Sequence, residues 1–111
     1  MRVIISGRHL SVTTAMKEYA RDKADRLDRF HRGIRTARLT LTVEHGNAIA
    51  EIVAMTQRST FVVHVEGDDM YSVIDKLMNK LERQLRRHKE RLRDRKTGRR
   101  KLEERKRSAR R

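Results

Sequence analysis

Residues 37–56 read ARLTLTVEHGNAIAEIVAMT. In the first half, Ala37, Leu39, Leu41 and Val43 alternate with Arg38, Thr40, Thr42 and Glu44. A period of two puts the first set on one face of an extended chain and the second on the other, the pattern of a half-buried strand over 37–44. His45-Gly46-Asn47 then interrupts the alternation with residues suited to a tight turn. Across Ala48 to Thr56 the pattern resumes, with Ala50, Ile52 and Ala54 as the inward set. The stretch therefore predicts a hairpin with one apolar face, and that face needs a cover.

Working outward on the C-terminal side, Gln57-Arg58-Ser59 reads as a second turn and Thr60 to Glu66 as a third strand, with Phe61, Val63 and Val65 inward. Gly67-Asp68-Asp69 closes that strand and offers an Asp cap to a long helix. In this helix Met70, Ile74, Leu77, Met78, Leu81, Leu85 and Leu92 fall within about 100° of arc, which makes one greasy side. On the N-terminal side, Arg2 to Arg8 begins with the β-branched run Val3-Ile4-Ile5 and reads as a strand that Gly7 ends or bends. Thr13 or Thr14 can cap a following helix, although no Glu or Gln three residues on completes a capping box. Met16, Tyr19, Ala20, Ala24, Leu27 and Phe30 make its apolar stripe, and Gly33 is the expected stop.

The order strand, helix, three strands, helix predicts an α+β fold. The expected architecture is β-α-β-β-β-α: a right-handed crossover followed by a meander, with a four-stranded sheet and two helices packed on one face. The other sheet face is then open. It carries Arg38, Thr40, Thr42, Glu51 and His64, with Val53, Met55 and Val62 as a small apolar patch read as ordinary scattered surface rather than as an interface.

Composition bounds the function. The chain has 111 residues, 40% charged and 36% hydrophobic, with 29 Lys or Arg against 15 Asp or Glu. One domain is expected. No apolar run approaches the roughly 20 residues of a membrane span, no signal peptide is visible, and there is no cysteine for a disulfide scaffold. A cytoplasmic protein is the default expectation. The formal net charge of +14 points to a polyanionic partner, foremost nucleic acid. Residues 95–111, RKTGRRKLEERKRSARR, hold ten Lys or Arg and two Glu, a net +8, around a single large apolar residue, Leu102. They read as a basic tail, disordered or a frayed helix on its own, attached to a body at 1–94. The tail is either a solubilising segment or an arm that binds phosphates.

A catalytic reading fails residue by residue. Without cysteine there is no thiol chemistry and no thiolate metal site. The five histidines (His9, His31, His45, His64, His88) show no metal-ligand spacing. His64 and Glu66 point the same way on one strand, a pairing better explained as solvated than as acid–base machinery. Asp68-Asp69 is better explained by helix capping than by cation binding. The glycines are too widely spaced for a phosphate loop, and Ser6, Ser11 and Ser72 sit in no nucleophile motif. No catalytic residue, metal ligand, cofactor or small-molecule substrate is assigned.

What remains is charge placement. Lys76, Lys80, Arg83, Arg87 and Arg91 follow steps of four, three, four and four along the long helix, opposite its apolar side. Asp75 and Glu82 fall on a flank between the two. The first helix adds Lys17, Arg21, Lys23, Arg26, Arg29 and Arg32, diluted by Glu18, Asp22, Asp25 and Asp28. The four aromatics (Tyr19, Phe30, Phe61, Tyr71) fall on apolar faces or at a helix start, so no platform for stacking single-stranded bases is evident. Binding through phosphates and the shape of folded RNA or DNA is the expected mode.

Glu66-Gly67-Asp68-Asp69-Met70-Tyr71, Ile74-Asp75, Lys80-Leu81-Glu82-Arg83-Gln84-Leu85 and His88-Lys89 together resemble the ribosome hibernation promoting factor and ribosome-associated inhibitor family, in its short form. Ile5-Ser6-Gly7, Val12-Thr13 and Leu27 match more loosely, and the resemblance covers about residues 1–93. It implies a stress or stationary-phase factor that binds the small ribosomal subunit between head and body. Such a factor overlaps the mRNA path and the A and P tRNA sites and blocks translation. It further implies that 16S ribosomal RNA is contacted by Lys23 and Arg26 on the first helix and by Lys80, Arg83, Arg86 and Arg87 on the second. Arg86 enters only through the resemblance, and Lys76 and Arg91 only through the stripe. The turn between the second and third strands looks shorter than is usual in the family, and Gln57-Arg58-Ser59 lacks its common glycine. Long-form members carry a C-terminal ribosome-pairing domain, which is not expected here. A general double-stranded RNA-binding module is the main alternative. A polyanion-binding interaction protein and an RNA-processing enzyme rank behind it.

Overall fold

The computed structural model describes the backbone of residues 1–8 and 12–109 and the side chains of 1–8 and 12–93. The expectations placed on His9, Ser11 and the side chains of the basic tail lie outside the described residues. The elements are β1 (Arg2–Gly7), α1 (Thr14–Phe30), β2 (Ile34–Glu44), β3 (Asn47–Thr56), β4 (Thr60–Gly67) and α2 (Met70–Ala109). The strands form one sheet in the order β1-β2-β3-β4. β1 runs parallel to β2, and the two later pairs are antiparallel. This is the α+β arrangement that the alternation in 37–56 predicts.

Register places the inward residues opposite one another: Ile5 with Leu39, Leu39 with Ile52, Ile52 with Val63. Both helices lie on that side, α1 against β1 and β2, α2 against β3 and β4. Leu39, Leu41, Ile52, Ile74, Leu77 and Leu81 are the largest fully buried side chains of the shared core. Three of these come from the hairpin strands and three from α2, so α2 is held by burial rather than by helix propensity.

The β2–β3 connection has φ +50° at His45 and +76° at Gly46. Positive φ at both central residues is the requirement of a type I′ turn, whose twist matches that of the flanking strands. An added Cβ at Gly46 would meet nothing within 4 Å, so the cost of Gly46→Ala is purely that of the backbone. It should destabilise the domain by about 1–2 kcal/mol, lowering Tm by roughly 4–16 °C. Thermal melting by circular dichroism checks this.

The caps resolve as the sequence allowed. Thr13 Oγ1 accepts from Met16 N at 3.2 Å, and Asp69 Oδ2 accepts from Ser72 N at 3.0 Å. Several packing details differ from expectation. Phe30 is 77% exposed rather than core. It is the last residue of α1 and lies about 60° round the helix from Leu27, where the chain is already turning towards β2. Leu92 is 44% exposed although its angle is correct. It lies seven residues past Leu85, about 10 Å further along the axis, where the sheet no longer reaches. Val73 is buried and joins the core, unanticipated. The first helix stops with His31, whose N–H bonds Leu27 O at 2.9 Å, two residues before Gly33. β2 begins at Ile34, not Ala37. Thr42, on the open face, is nevertheless buried. There Val62 and Met55 are exposed and Val53 is half-buried opposite Val62.

Candidate nucleic-acid interface

α2 presents two chemically different flanks, and the physical reason is spacing. At 100° per residue, Lys76, Lys80, Arg83, Arg87 and Arg91 centre about 120° from the buried stripe on one side, and Asp75 and Glu82 a similar angle away on the other. The acidic flank faces α1. The Tyr19 hydroxyl donates to Asp75 Oδ1 at 2.7 Å, and Lys23 Nζ lies 3.5 Å from the same oxygen. The same ammonium sits 5.3 Å from the centroid of the Tyr19 ring, and Tyr19 meets Tyr71 edge-on at 5.1 Å. Two turns further on, Arg86 donates to Glu82 Oε1 at 2.6 Å, and Nε2 of the buried His31 lies 3.5 Å from that oxygen. The two acids thus tie the helices together.

Their electrostatics follow from those contacts. The hydrogen bond from Arg86 holds the Glu82 carboxyl below its ordinary value of 4.5, reinforced by His31. Donation to Asp75 holds the Tyr19 phenol above its ordinary 10.0. Because the Glu82 pKa is depressed on folding, its bonds stabilise the fold above the ordinary carboxylate value, and the contribution is lost as pH falls through the folded value. The Tm difference between the wild type and Glu82→Gln should therefore be at its full size above pH 4.5 and should close as the solution is made more acid than that. A gap independent of pH across that window would mean that the carboxylate does not hold the helix junction.

The basic flank is different in kind. Lys76, Lys80, Arg83, Arg87 and Arg91 are all exposed, and among the described residues none of them has a carboxylate within 4.0 Å. Of the other residues that sequence reasoning assigned, Lys23 and Arg86 are ion-paired on the opposite flank. Arg26 is exposed on α1 and borders a shallow hollow with Asp22, Asp25 and Arg29. The eight candidates therefore do not form one continuous surface: five make an unpaired row, and three stand among acids at the α1 side. Spacing alone could identify the row; which acid each remaining cation meets depends on the α1–α2 packing. Sequence reasoning also passed over Arg35 and Arg58, which the β2 start and the β3–β4 turn bring beside the end of the row.

Other chemistry has little to work with. His64 Nε2 is 3.0 Å from Glu66 Oε1 and its Nδ1 4.0 Å from Glu51 Oε2, all half-exposed on the open sheet face. Among the described residues no group of three or more His, Asp or Glu is arranged to hold a metal ion. No described helix is long and apolar enough to cross a membrane.

Comparison with known proteins converges on one family. The family model described as Sigma 54 modulation protein / S30EA ribosomal protein matches residues 3–93. A ribosome hibernation promoting factor of Azotobacter vinelandii is 38% identical over 98 residues, covering 88% of this chain and 92% of the relative. The ribosome hibernation promotion factor of Deinococcus radiodurans is 40% identical over 93 residues, 78% of this chain but 48% of that longer protein. Among solved structures, a ribosomal subunit interface protein from Coxiella burnetii superposes with a TM-score of 0.73 at 27% identity, covering 80% of this chain and 98% of that one. The N-terminal domain of Protein Y from Thermus thermophilus gives 0.70 at 31% identity, covering 79% and 99%.

Proposed function

The chain belongs to the Sigma 54 modulation protein / S30EA ribosomal protein family, and from that membership we propose that it is a ribosome hibernation factor acting without catalysis on the small ribosomal subunit. It occupies the channel between head and body, overlaps the mRNA path and the A and P tRNA sites, and keeps the subunit out of translation under stress or in stationary phase. Its partner there is 16S ribosomal RNA. The site of action is the cytoplasm, where ribosomes are.

The unpaired row on α2 is the observation that carries this reading. An exposed cation paired with a carboxylate has its charge largely cancelled, and binding a phosphate means sharing or losing that partner. A cation without a partner binds phosphate at no such cost and releases a counterion from the RNA. Five such side chains project from one rigid helix held by a fully buried stripe, so they are prepositioned for a fixed array of phosphates. Lys23, Arg26 and Arg86 act at the margin of this surface, where nearby acids moderate their contribution. The small subunit is a folded RNA surface, which suits a row of cations without base-reading side chains.

Titration with purified small subunits at increasing salt tests the reading. If the five cations of the row neutralise about five phosphates, log K against log salt should fall with a slope of about −4. A slope near zero would show that the affinity comes from uncharged contacts and would remove the row from the mechanism.

A further inference from the structure

Beside the far end of the basic row lies a cleft of about 440 Å³ whose composition the RNA-backbone reading does not use. Its floor is apolar and is built from Ile34, Phe61 and Leu85. Its mouth carries Arg35, Arg58 and Lys89, and no acidic residue lines it. Among the described residues these three cations make no ion pair.

The chain builds this place deliberately in physical terms. The β2–β3 register shifts between Ile34 and Thr36, so Arg35 is an extra residue in the ladder. Such a bulge re-aims a side chain. Here Ile34 turns into the core and Arg35 goes to the cleft. On the opposite wall, Thr56 N donates to Ser59 O at 2.8 Å and Ser59 N to Thr56 Oγ1 at 3.0 Å, which closes the turn that displays Gln57 and Arg58. Phe61 and His88 meet edge to face, with ring centroids 5.4 Å apart and an interplanar angle of 80°. A planar ligand lying on one ring therefore meets the edge of the other. His88 is held in place by Ser59 Oγ at 3.3 Å.

We infer that this cleft is a nucleotide site: it takes one unstacked nucleoside monophosphate unit, with the base on the Phe61–His88 floor and the phosphate at Arg35, Arg58 and Lys89. The volume is in the range of small-ligand sites, about 300–1,000 Å³. An apolar aromatic floor with a cationic mouth matches a flat base joined to an anionic phosphate. The exposed Gln57 amide supplies a donor and an acceptor for a base edge. A second, smaller hollow that shares Phe61 and His88 is lined by Arg87 and Arg91, so the basic row leads directly to the cleft. This continuity favours an RNA nucleotide turned out of its helix over a free nucleotide, and that choice of source rests on the RNA-binding reading above.

The test uses the full chain, the cleft variant R35A/R58A and, as a control on the helix, K76E/K80E/R83E, whose residues line neither the cleft nor the adjoining hollow. Adenosine and guanosine monophosphates are titrated by amide NMR. They should shift Gly33, Ser59, Phe61 and His88 saturably, and the cleft variant should bind them at least tenfold more weakly. The helix variant should keep nucleotide binding even if it loses the ribosome, so failure of the cleft and failure of the helix face are read separately. In co-sedimentation with small subunits, a tenfold loss in the cleft variant assigns the site to an RNA nucleotide; unchanged sedimentation with lost nucleotide binding assigns it to a free one. Absence of saturable shifts, or equal affinity for inorganic phosphate alone, would overturn the proposal.

Discussion

Replacing Lys80, Arg83 and Arg87 together by Glu should weaken binding to the small ribosomal subunit about a thousandfold while leaving the melting of the domain nearly unchanged. The size follows from the number of contacts. A hydrogen bond to a charged group contributes about 1.5–3 kcal/mol, so three lost contacts at the low end come to about 4–5 kcal/mol, and each 1.4 kcal/mol is tenfold. Reversal adds repulsion from neighbouring phosphates. Stability should hold because the three side chains are exposed and make no ion pair within the described residues. The reversal replaces the like-charge pairs with Lys76 and Arg91 by opposite-charge pairs four residues apart, which offsets the repulsion among the three new Glu residues. Lys23→Ala and Arg86→Ala should cost the subunit affinity less, since each side chain already spends its charge on Asp75 or Glu82. Sedimentation of each variant with purified subunits, beside a melting curve, separates the two effects. Equal losses for the row and for the paired cations would mean that pairing does not govern which cations bind.

The second large effect comes from the other side of the same helix. Leu81→Ala should destabilise the domain by about 3 kcal/mol and lower its Tm by roughly 12–24 °C. Leu81 is fully buried on the face turned away from the exposed cations Lys80 and Arg83, and it packs in the cluster with Ile74, Leu77 and Ile52. Truncation removes its transfer energy and leaves a cavity that a four-stranded sheet cannot collapse around. At temperatures where the variant is still folded, subunit affinity should stay within a few fold of wild type, since no cation is lost. A variant that melts normally would show that α2 is anchored elsewhere and that the core beneath the row is not what prepositions it.

How much of this was legible in the sequence depends on which contacts decide each feature. The hairpin over 37–56 and the stripe on α2 were legible because each is a local period imposed by one covered face. The row of Lys76 to Arg91 was legible for the same reason. Leu92 was misplaced because helical phase repeats without end, whereas the sheet beneath it stops. Phe30 was misplaced because a three-residue step from Leu27 looks like core until the helix ends. Val73 was missed because it sits at the margin of the arc, where contact with Gly67 and the end of β4 brings it inside. The pairing of Lys23 with Asp75, 52 positions apart, and of His31 with Glu82 had no sequence signature. They arise only when α1 and α2 lie side by side. The cleft was invisible for a related reason: a bulge at Arg35 and a turn at Arg58 contribute to one mouth from separate elements.

The charge of the whole chain is then less informative than its distribution. A net +14 names a polyanion as partner. The division of α2 into a flank whose acids bind α1 and a flank whose cations are unpaired among the described residues is what the proposed RNA-facing surface rests on.

The central claim is that the unpaired row on α2 lies on ribosomal RNA. A cryo-electron microscopy reconstruction of this chain on the small subunit tests it most directly. The expected result is α2 in the channel between head and body, with Lys76, Lys80, Arg83, Arg87 and Arg91 within hydrogen-bonding distance of 16S phosphates. A bound chain whose row faces solvent, with the open sheet face or α1 against the RNA instead, would contradict it.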